Sequence, residues 1–189
     1  MLKKYFNLLA VVLTVMLLLP LASCDAQQLR NKSSVLTVYV NNSGTTYNKE
    51  LDKIVNAELK KRLEGLYIEL DNEAYTEVFR ERFAIDAEKY EIIPLADKSG
   101  ADYFIYIELL PFVEKSDYNF VYHNKAMTSS VFVWIIDLKT NREIIREVFS
   151  LKEKDSTDAW FIGDKSVAIK SLRSTMFKVG EHISAKLPL

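Results

Sequence analysis

The sequence has little of what several common classes of protein need. One cysteine and two histidines among 189 residues exclude an internal disulfide framework and the common Cys/His zinc sites. The 25 basic and 26 acidic side chains give a formal net charge of −1, so the composition gives no reason to expect nucleic-acid binding. Five glycines and four prolines exclude a collagen-like chain. An apolar fraction of 49% is instead typical of a folded domain, and the length predicts one such domain.

The one long apolar run lies near the amino terminus. Lys3 and Lys4 precede Leu8–Leu19, a run that only Thr14 interrupts. It is shorter than the ~20 residues that a transmembrane helix needs, but it fits the apolar core of a secretory signal. The beginning of the chain therefore predicts an exported protein.

The four residues after this region indicate how the signal ends. Leu21-Ala22-Ser23-Cys24 resembles the lipobox of bacterial lipoproteins, in which small residues precede an invariant cysteine. The resemblance implies diacylglyceryl transfer to the Cys24 sulfur, cleavage before Cys24, and acylation of the new amino group, for which palmitate is the expected fatty acid. Leu21, Ala22 and Ser23 would be the residues that the signal peptidase recognises. The alternative is an uncleaved apolar helix followed by a core cysteine.

These features divide the chain into three predicted parts. They are a signal peptide over residues 1–23, a lipidated cysteine with a flexible tether over residues 24–34, and a single α/β domain over residues 35–189. Asp25 follows the cysteine directly, and in lipoproteins of enteric type an aspartate there resembles the signal for retention in the inner membrane. We therefore expect a cell-envelope protein on the extracytoplasmic (periplasmic) side, held by its acyl chains, with the inner membrane favoured.

Hydrophobic periodicity predicts strands and amphipathic helices in the rest of the chain. The clearest elements are a strand over Val35–Val40, a helix from Asn48 to Gly65, an alternating strand over Asp102–Phe112 and a last helix that Asp164 caps. Weaker predictions are strands over Leu66–Leu70, Tyr90–Ile93, Tyr118–His123, Ser130–Leu138 and Glu143–Leu151, and a helix over Glu73–Phe83. Helices bury their apolar stripes against a sheet. The predicted fold class is therefore α/β, of the two-layer α+β type, with a mixed twisted sheet packed against amphipathic helices.

Several of these segments resemble the TolB amino-terminal and CsgG-like group of envelope proteins. The resemblance rests on Gly100-Ala101-Asp102-Tyr103 at the start of a central strand, on Asp137-Leu138-Lys139-Thr140 before a returning strand, and on the amphipathic last helix. Asn141 stands where the group prefers glycine, and asparagine tolerates the left-handed conformation better than most residues. The resemblance implies a TolB-like fold, and none of the shared motif positions is catalytic in the group.

Candidate catalytic chemistry is scarce. We interpret His123 as an exposed turn residue, and His182 as a solvated residue that shares the polar side of the last helix with Ser171 and Thr175. The two histidines lack the i, i+4 spacing of a helical zinc pair, and the sequence has no phosphate-binding loop or nucleophile elbow. We therefore predict that the protein is not an enzyme and has no catalytic residue, cofactor or metal.

Three other residues receive structural interpretations. Asp102 and Asp137 each lie at a strand end, where a carboxylate can bond turn amides and fix a loop. Gly180 lies beside the apolar stripe of the last helix, and we expect its missing side chain to let the helix approach the sheet closely.

Two groups of aromatic residues form a candidate partner surface. Tyr118, Phe120 and Tyr122 alternate along one predicted strand, and Trp160-Phe161 precedes the last helix in a polar stretch. An exposed aromatic patch would mark an interaction surface. The alternative is that both groups cover the sheet or close the start of the helix.

The preferred hypothesis is a non-enzymatic lipoprotein that binds envelope proteins in assembly, secretion or transport. Its expected partners are the membrane, through Cys24, and other envelope proteins, with no nucleic acid. The alternative is a lipoprotein that binds a small ligand or a glycan. An envelope hydrolase would need clustered histidines or carboxylates, which this sequence does not offer.

Overall fold

The computed structural model describes residues 33–63, 68–69, 88–118, 123–157 and 163–187. In chain order the elements are β1 (Ser34–Asn41), α1 (Asn48–Leu63), β2 (Ile68–Glu69), α2 (Lys89–Ala96), β3 (Tyr103–Leu109), β4 (Val113–Tyr118), β5 (His123–Asp137), β6 (Arg142–Thr157) and α3 (Asp164–Lys186). A short 3-10 helix over Asp97–Ser99 follows α2. The predicted α/β class is confirmed, whereas the helix predicted over Glu73–Phe83 lies outside the described residues.

The described strands form one mixed sheet organised around β5. β1 pairs in parallel with β2 and β3, and β3 pairs antiparallel with β5. β3 and β4 lie end to end along the same side of β5, since Leu109 pairs with Val131 and Val113 pairs with Thr128. β6 pairs with the other side of β5. Beyond the end of β1, the described sheet therefore continues as a three-stranded ribbon of β4, β5 and β6.

Helices cover both faces of the sheet. Side chains of α1 and α3 share a core with Tyr103, Ile105 and Ile107 of β3. On the opposite face, side chains of α2 share a second core with Phe104 and Tyr106. The alternation predicted for β3 is thus confirmed. The helix α2 adds a layer to the two that the sequence predicts.

The strand predicted over Tyr90–Ile93 is wrong, because this stretch belongs to helix α2. Glu88 and Glu91 form a reciprocal capping box at its start, which satisfies two backbone amides that a helix start leaves unpaired. Ile92 and Ala96 are buried one turn apart. The apolar run is too short for its periodicity to separate a strand from a buried helix.

The single strand predicted over Tyr118–His123 is also wrong. Tyr118 ends β4, His123 begins β5, and the two residues are partners in an antiparallel ladder. Partners across such a ladder belong to two strands. His123 is accordingly the first residue of β5, and the strand predicted over Ser130–Leu138 is the second half of that strand.

The hairpin between β5 and β6 forms as predicted. The carboxylate of Asp137 accepts the backbone N–H groups of Lys139 at 2.9 Å and of Thr140 at 3.1 Å. Asn141 takes the left-handed conformation, with φ of 54°, which asparagine adopts more readily than most residues. The structural role predicted for Asp137 is confirmed.

Three interpretations of the last helix need correction. Ser171 and Thr175 are fully buried and contact the sheet, so they do not lie on a solvated side. Gly180 faces α1, since a Cβ atom there would lie 2.8 Å from the Arg62 Nε atom and 2.9 Å from Glu58 Oε1. Its missing side chain thus serves a close approach between helices. Asp164 begins α3 as expected, but the N-cap position is Gly163 and makes no side-chain cap bond.

Candidate interaction surfaces

The two ends of the sheet border different parts of the chain. At one end, Val35, Tyr103, Asp137 and Arg142 lie in one row across β1, β3, β5 and β6. We call this row the tether end, because β1 is the strand that follows the predicted tether. The first residues of β1 are therefore at this end of the sheet.

Asp102 secures the tether end. Its Oδ2 atom accepts the backbone N–H of Ser34 at 2.9 Å, and its own N–H donates to the Ser34 carbonyl at 3.0 Å. Lys139 Nζ lies 2.7 Å from Asp102 Oδ1. Burial alone would raise the pKa of Asp102, but the bonds from Lys139 and Ser34 outweigh it and hold the pKa below its usual value. Asp102 has a structural role as predicted, but its carboxylate bonds the first amide of strand β1 instead of turn amides.

The opposite end of the sheet brings together the flanks of both predicted aromatic groups. Tyr118, His123 and Thr157 lie in one row across β4, β5 and β6, and we call this row the far end. It lies roughly 45 Å from the tether end, from the rise per residue along β5. Residues 119–122 and 158–162 both join the sheet at this row. The described part of the structure does not include Phe120, Tyr122, Trp160 and Phe161, or the side chain of Tyr118. The role of these residues as a partner surface therefore stays a prediction.

Polar side chains bond to one another at the carboxyl ends of the parallel strands β1 and β3. Open α/β sheets commonly bind ligands at this edge. Asn41 Nδ2 donates to Asp52 Oδ1 at 2.6 Å, and Tyr39 Oη donates to the same oxygen at 3.0 Å. On the other face, Asn42 Nδ2 donates to Glu108 Oε1 at 2.6 Å. Burial, together with the negative charge of Asp52, raises the pKa of Tyr39. Both carboxylates thus serve to fix the β1–α1 loop.

A buried hydroxyl cluster joins α3 to the sheet. Ser129 and Leu151 are partners in the β5–β6 ladder, and the Ser171 hydroxyl bridges them. It accepts the Ser129 N–H at 2.9 Å and lies 2.8 Å from the Leu151 carbonyl oxygen, to which it can donate. Thr175 Oγ1 lies 2.6 Å from Ser129 Oγ. Because all of these hydroxyls find partners within the cluster, it has a structural role.

His182 is partly exposed and paired. Its Nε2 atom lies 2.9 Å from Glu147 Oε1, and its ring meets Phe149 edge-on with 5.2 Å between centroids. The His182 side chain therefore packs against the hairpin and is not free in solvent, which corrects its interpretation as a solvated residue. In the described ranges of the chain, no three His, Cys, Asp or Glu side chains are grouped so that they could hold a metal ion.

The ribbon carries a basic recess on the face that α2 leaves uncovered. It has a volume of about 390 Å³, and its lining includes Lys115, Asn124, Ala126, Lys152 and Lys154. Lys115, Ala126 and Lys154 lie directly opposite one another on β4, β5 and β6. The sequence pattern does not reveal this site, because Lys115 lies far along the chain from Lys152 and Lys154 and joins them only through strand register.

A second surface is an apolar groove between α1 and α3, with a volume of about 660 Å³. Ile54 and Ile169 line it, and Phe177 beside them is 54% exposed. An ion pair of 2.5 Å between Glu50 and Lys165 joins the two helices at their first turns. An exposed phenylalanine beside an apolar groove is a feature of protein-binding surfaces.

None of the described helices is long and apolar enough to cross a membrane.

The chain matches no protein-family model and no curated protein. Its fold is similar to that of the hypothetical protein CT253 from Chlamydia trachomatis, with a TM-score of 0.54 and 15% sequence identity over 82% of this chain and 97% of that one. This similarity shows a shared fold and says nothing of function.

Bacterial lipoproteins and TolB are among the proteins with weaker structural similarity. Lipoprotein GNA1162 from Neisseria meningitidis gives a TM-score of 0.43 and 15% identity over 81% of this chain and 99% of that chain. TolB from Acinetobacter baumannii gives a TM-score of 0.41 and 12% identity over 81% of this chain and 27% of that chain. Similarity at this level carries no functional inference.

Proposed function

We propose that this protein is a lipoprotein anchored on the extracytoplasmic side of a bacterial envelope membrane, where it binds other envelope proteins without catalysing a reaction. The observation that carries the proposal is the order of a basic start, an apolar run and Leu21-Ala22-Ser23-Cys24 at the beginning of the chain. Lipidated Cys24 would hold the domain with two or more acyl chains, which anchor a protein stably where one chain does not. Asp25 favours the inner membrane.

The anchor and the domain lie close together along the chain. β1 begins at Ser34, so the tether from Cys24 reaches roughly 33 Å when fully stretched. A tether of this length would keep the domain near the bilayer and leave it room to turn. The bonds between Asp102 and Ser34 fix the place at which the tether meets the sheet.

The partner surface that we propose lies at the far end. The row of Tyr118, His123 and Thr157 supports this proposal, because it brings the flanks of both aromatic groups to one place. In this arrangement Tyr118, Phe120, Tyr122, Trp160 and Phe161 contact an envelope protein at the end of the sheet opposite the anchor. Aromatic anchors of this kind dominate the binding energy of many interfaces.

The second candidate function is the binding of a small ligand or glycan. The basic recess supports it, because a volume of about 390 Å³ falls within the range of ligand sites. This function is compatible with the same anchor and would place the ligand on the ribbon.

A pull-down from membranes of the native bacterium tests the proposed function. Wild-type protein and the Cys24→Ser variant are captured in parallel, and co-purifying proteins are identified by mass spectrometry. The proposal predicts a reproducible partner that only the lipidated form captures. Capture of the same proteins by both forms, or of no protein by either form, contradicts the proposal. Either result favours the second candidate function, ligand binding.

A further inference from the structure

We propose that the basic recess on the β4–β5–β6 ribbon is a binding site for a ligand that carries two or more phosphate groups. This inference rests on the second candidate function and deepens it, because it names the chemical class of ligand for the same recess, and it does not depend on a protein partner. It rests on where the register places three lysines and on what those lysines contact.

The three lysines lie around Ala126 on one face of the ribbon. Lys115 and Lys154 flank Ala126 across two strand spacings, which separates their backbones by roughly 10 Å. Lys152 lies two residues before Lys154 on the same face of β6, roughly 7 Å along the strand. Thr128, two residues after Ala126 on β5, pairs with Val113 on β4 and with Lys152 on β6. The β5 side chains between the lysines, Ala126 and Thr128, are therefore short.

Among the described residues, no acidic side chain forms an ion pair with these three lysines. Lys125 is a fourth lysine at the recess, but its ammonium pairs with Glu114 at 2.9 Å and also with Asp164. Three lysines that line one concave surface, with no ion pair among the described residues, create a local positive potential, although the chain as a whole is nearly neutral.

Asp155 is the acidic residue in the described lining of the recess. One carboxylate against three lysines leaves an excess of positive charge. The recess is therefore basic even when its acidic neighbour is counted.

Lysine is suited to phosphate. It binds phosphate as a point charge from many directions, without the planar geometry that the fork of arginine imposes on carboxylate and phosphate alike. No arginine is among the described residues that line the recess, and the Asn124 amide adds a neutral hydrogen-bond donor. The spacing of the lysines suits a ligand whose charged groups are several ångströms apart, so a single inorganic phosphate would engage only part of the site.

Titration of the full-length protein with sodium tripolyphosphate tests the site. The protein is held in non-ionic detergent at low salt, and binding is followed by calorimetry. The test variant is Lys115→Gln, Lys152→Gln and Lys154→Gln together. The matched control is Lys53→Gln, Lys61→Gln and Lys178→Gln, which removes the same charge from exposed positions on α1 and α3.

The proposal predicts that the recess variant loses about tenfold or more in affinity while the control loses less than about threefold, since long-range charge alone contributes little at exposed sites. Equal losses in both variants, or no binding by wild type at about 1 mM ligand, would overturn it. If the recess variant does not fold by circular dichroism, Lys154→Glu alone replaces it, with Lys178→Glu as its control.

Nanodiscs distinguish a lipid headgroup from a soluble phosphate ligand. The lipidated protein is inserted into discs that contain phosphatidylglycerol or, at equal phosphate content and therefore equal surface charge, cardiolipin, and tripolyphosphate is titrated into each. Binding that is about tenfold weaker in the cardiolipin discs identifies headgroups with two phosphates as occupants of the recess. Equal binding in both discs identifies a soluble ligand.

Discussion

Asp102 and Ser34 are joined by a reciprocal pair of hydrogen bonds. The Asp102 carboxylate accepts the Ser34 N–H at 2.9 Å, and the Asp102 N–H donates to the Ser34 carbonyl at 3.0 Å. The pair ties the first residue of β1 to the start of β3, at the point where the proposed anchor connects to the domain. The two bonds therefore hold the amino-terminal end of β1 in place.

Replacing Asp102 by asparagine should destabilise the domain in a pH-dependent way. The pKa of Asp102 is held below its usual value, so its stabilising effect is present above the unfolded pKa of ~3.9 and is lost as the pH falls through the folded pKa. We expect Asp102→Asn to lower the free energy of unfolding by about 1 kcal/mol at pH 7. Urea unfolding at pH 7 and near pH 3 measures the difference, which should shrink at the lower pH.

The control for this experiment is Asp97→Asn. Asp97 is exposed, so its replacement should change the free energy of unfolding by less than about 0.5 kcal/mol at either pH. A loss for Asp102→Asn that is the same at both pH values would show that the carboxylate charge is not responsible.

Removing the Ser171 hydroxyl should lower the free energy of unfolding markedly, although the change removes only one atom other than hydrogen. In Ser171→Ala the Ser129 N–H and the Leu151 carbonyl lose the group that bridges them. A buried polar group left without a partner costs ~1–3 kcal/mol. We expect a loss of about 2 kcal/mol in the free energy of unfolding, measured by urea denaturation.

Ser174→Ala provides the comparison on the same helix. The Ser174 hydroxyl donates to the Glu153 carboxylate at 2.8 Å, and Glu153 is partly exposed, so water can replace this bond. Its removal should cost less than about 0.5 kcal/mol. Equal losses for the two alanine variants would contradict the bridging role of Ser171.

A single-tryptophan variant can show whether Trp160 is exposed. The chain has two tryptophans. Trp134 is fully buried, with its indole N–H 2.9 Å from Glu143 Oε2 and the Arg146 guanidinium 4.3 Å from the ring centroid. In Trp134→Phe all tryptophan emission comes from Trp160. The partner-surface hypothesis predicts strong acrylamide quenching of this emission, and protection from quenching when a partner binds.

The companion change is Trp160→Ala. If Trp160 is a partner anchor, this variant should lose partner capture while its melting temperature stays within about 2 °C of wild type. A large drop in melting temperature would assign Trp160 to packing on the sheet, which is the alternative that the sequence leaves open.

Phe177 offers a test of the groove between α1 and α3. Its side chain is 54% exposed, and its contact with the Arg62 guanidinium, 5.5 Å from the ring centroid, adds little at an exposed site. Phe177→Ser should therefore change the free energy of unfolding by less than about 1 kcal/mol. Reduced partner capture by this folded variant would assign the groove to the interface, and unchanged capture would exclude it.

Much of the fold follows from local pattern. The helix predicted from Asn48 forms over Asn48–Leu63, and the alternation predicted after Asp102 separates the two cores. The predicted turn bonds of Asp137 are also present. These predictions succeed because periodicity and turn chemistry act within a few neighbouring residues.

The errors arise where tertiary contacts override local pattern. Ser171 and Thr175 have polar side chains, yet they are buried because the sheet offers their hydroxyls partners. Tyr118, Phe120 and Tyr122 alternate as on one strand that ends at His123, but the β4–β5 register makes Tyr118 and His123 partners. Gly180 meets α1, which no local pattern of α3 encodes.

The basic recess could not be found from sequence alone. The spacing of Lys152 and Lys154 indicates two lysines on one strand face, but Lys115 joins them only because β5 lies between β4 and β6. The alternation of side chains assigns each residue to a face of its strand, but it does not specify which strands become neighbours.

Intact-mass measurement of the protein extracted from native membranes tests the central claim most directly. We predict a chain that begins at Cys24 and carries the added mass of a diacylglyceryl group, with a further fatty acyl group where the amino terminus is acylated. A chain that retains Met1, or an unmodified Cys24, would contradict the account.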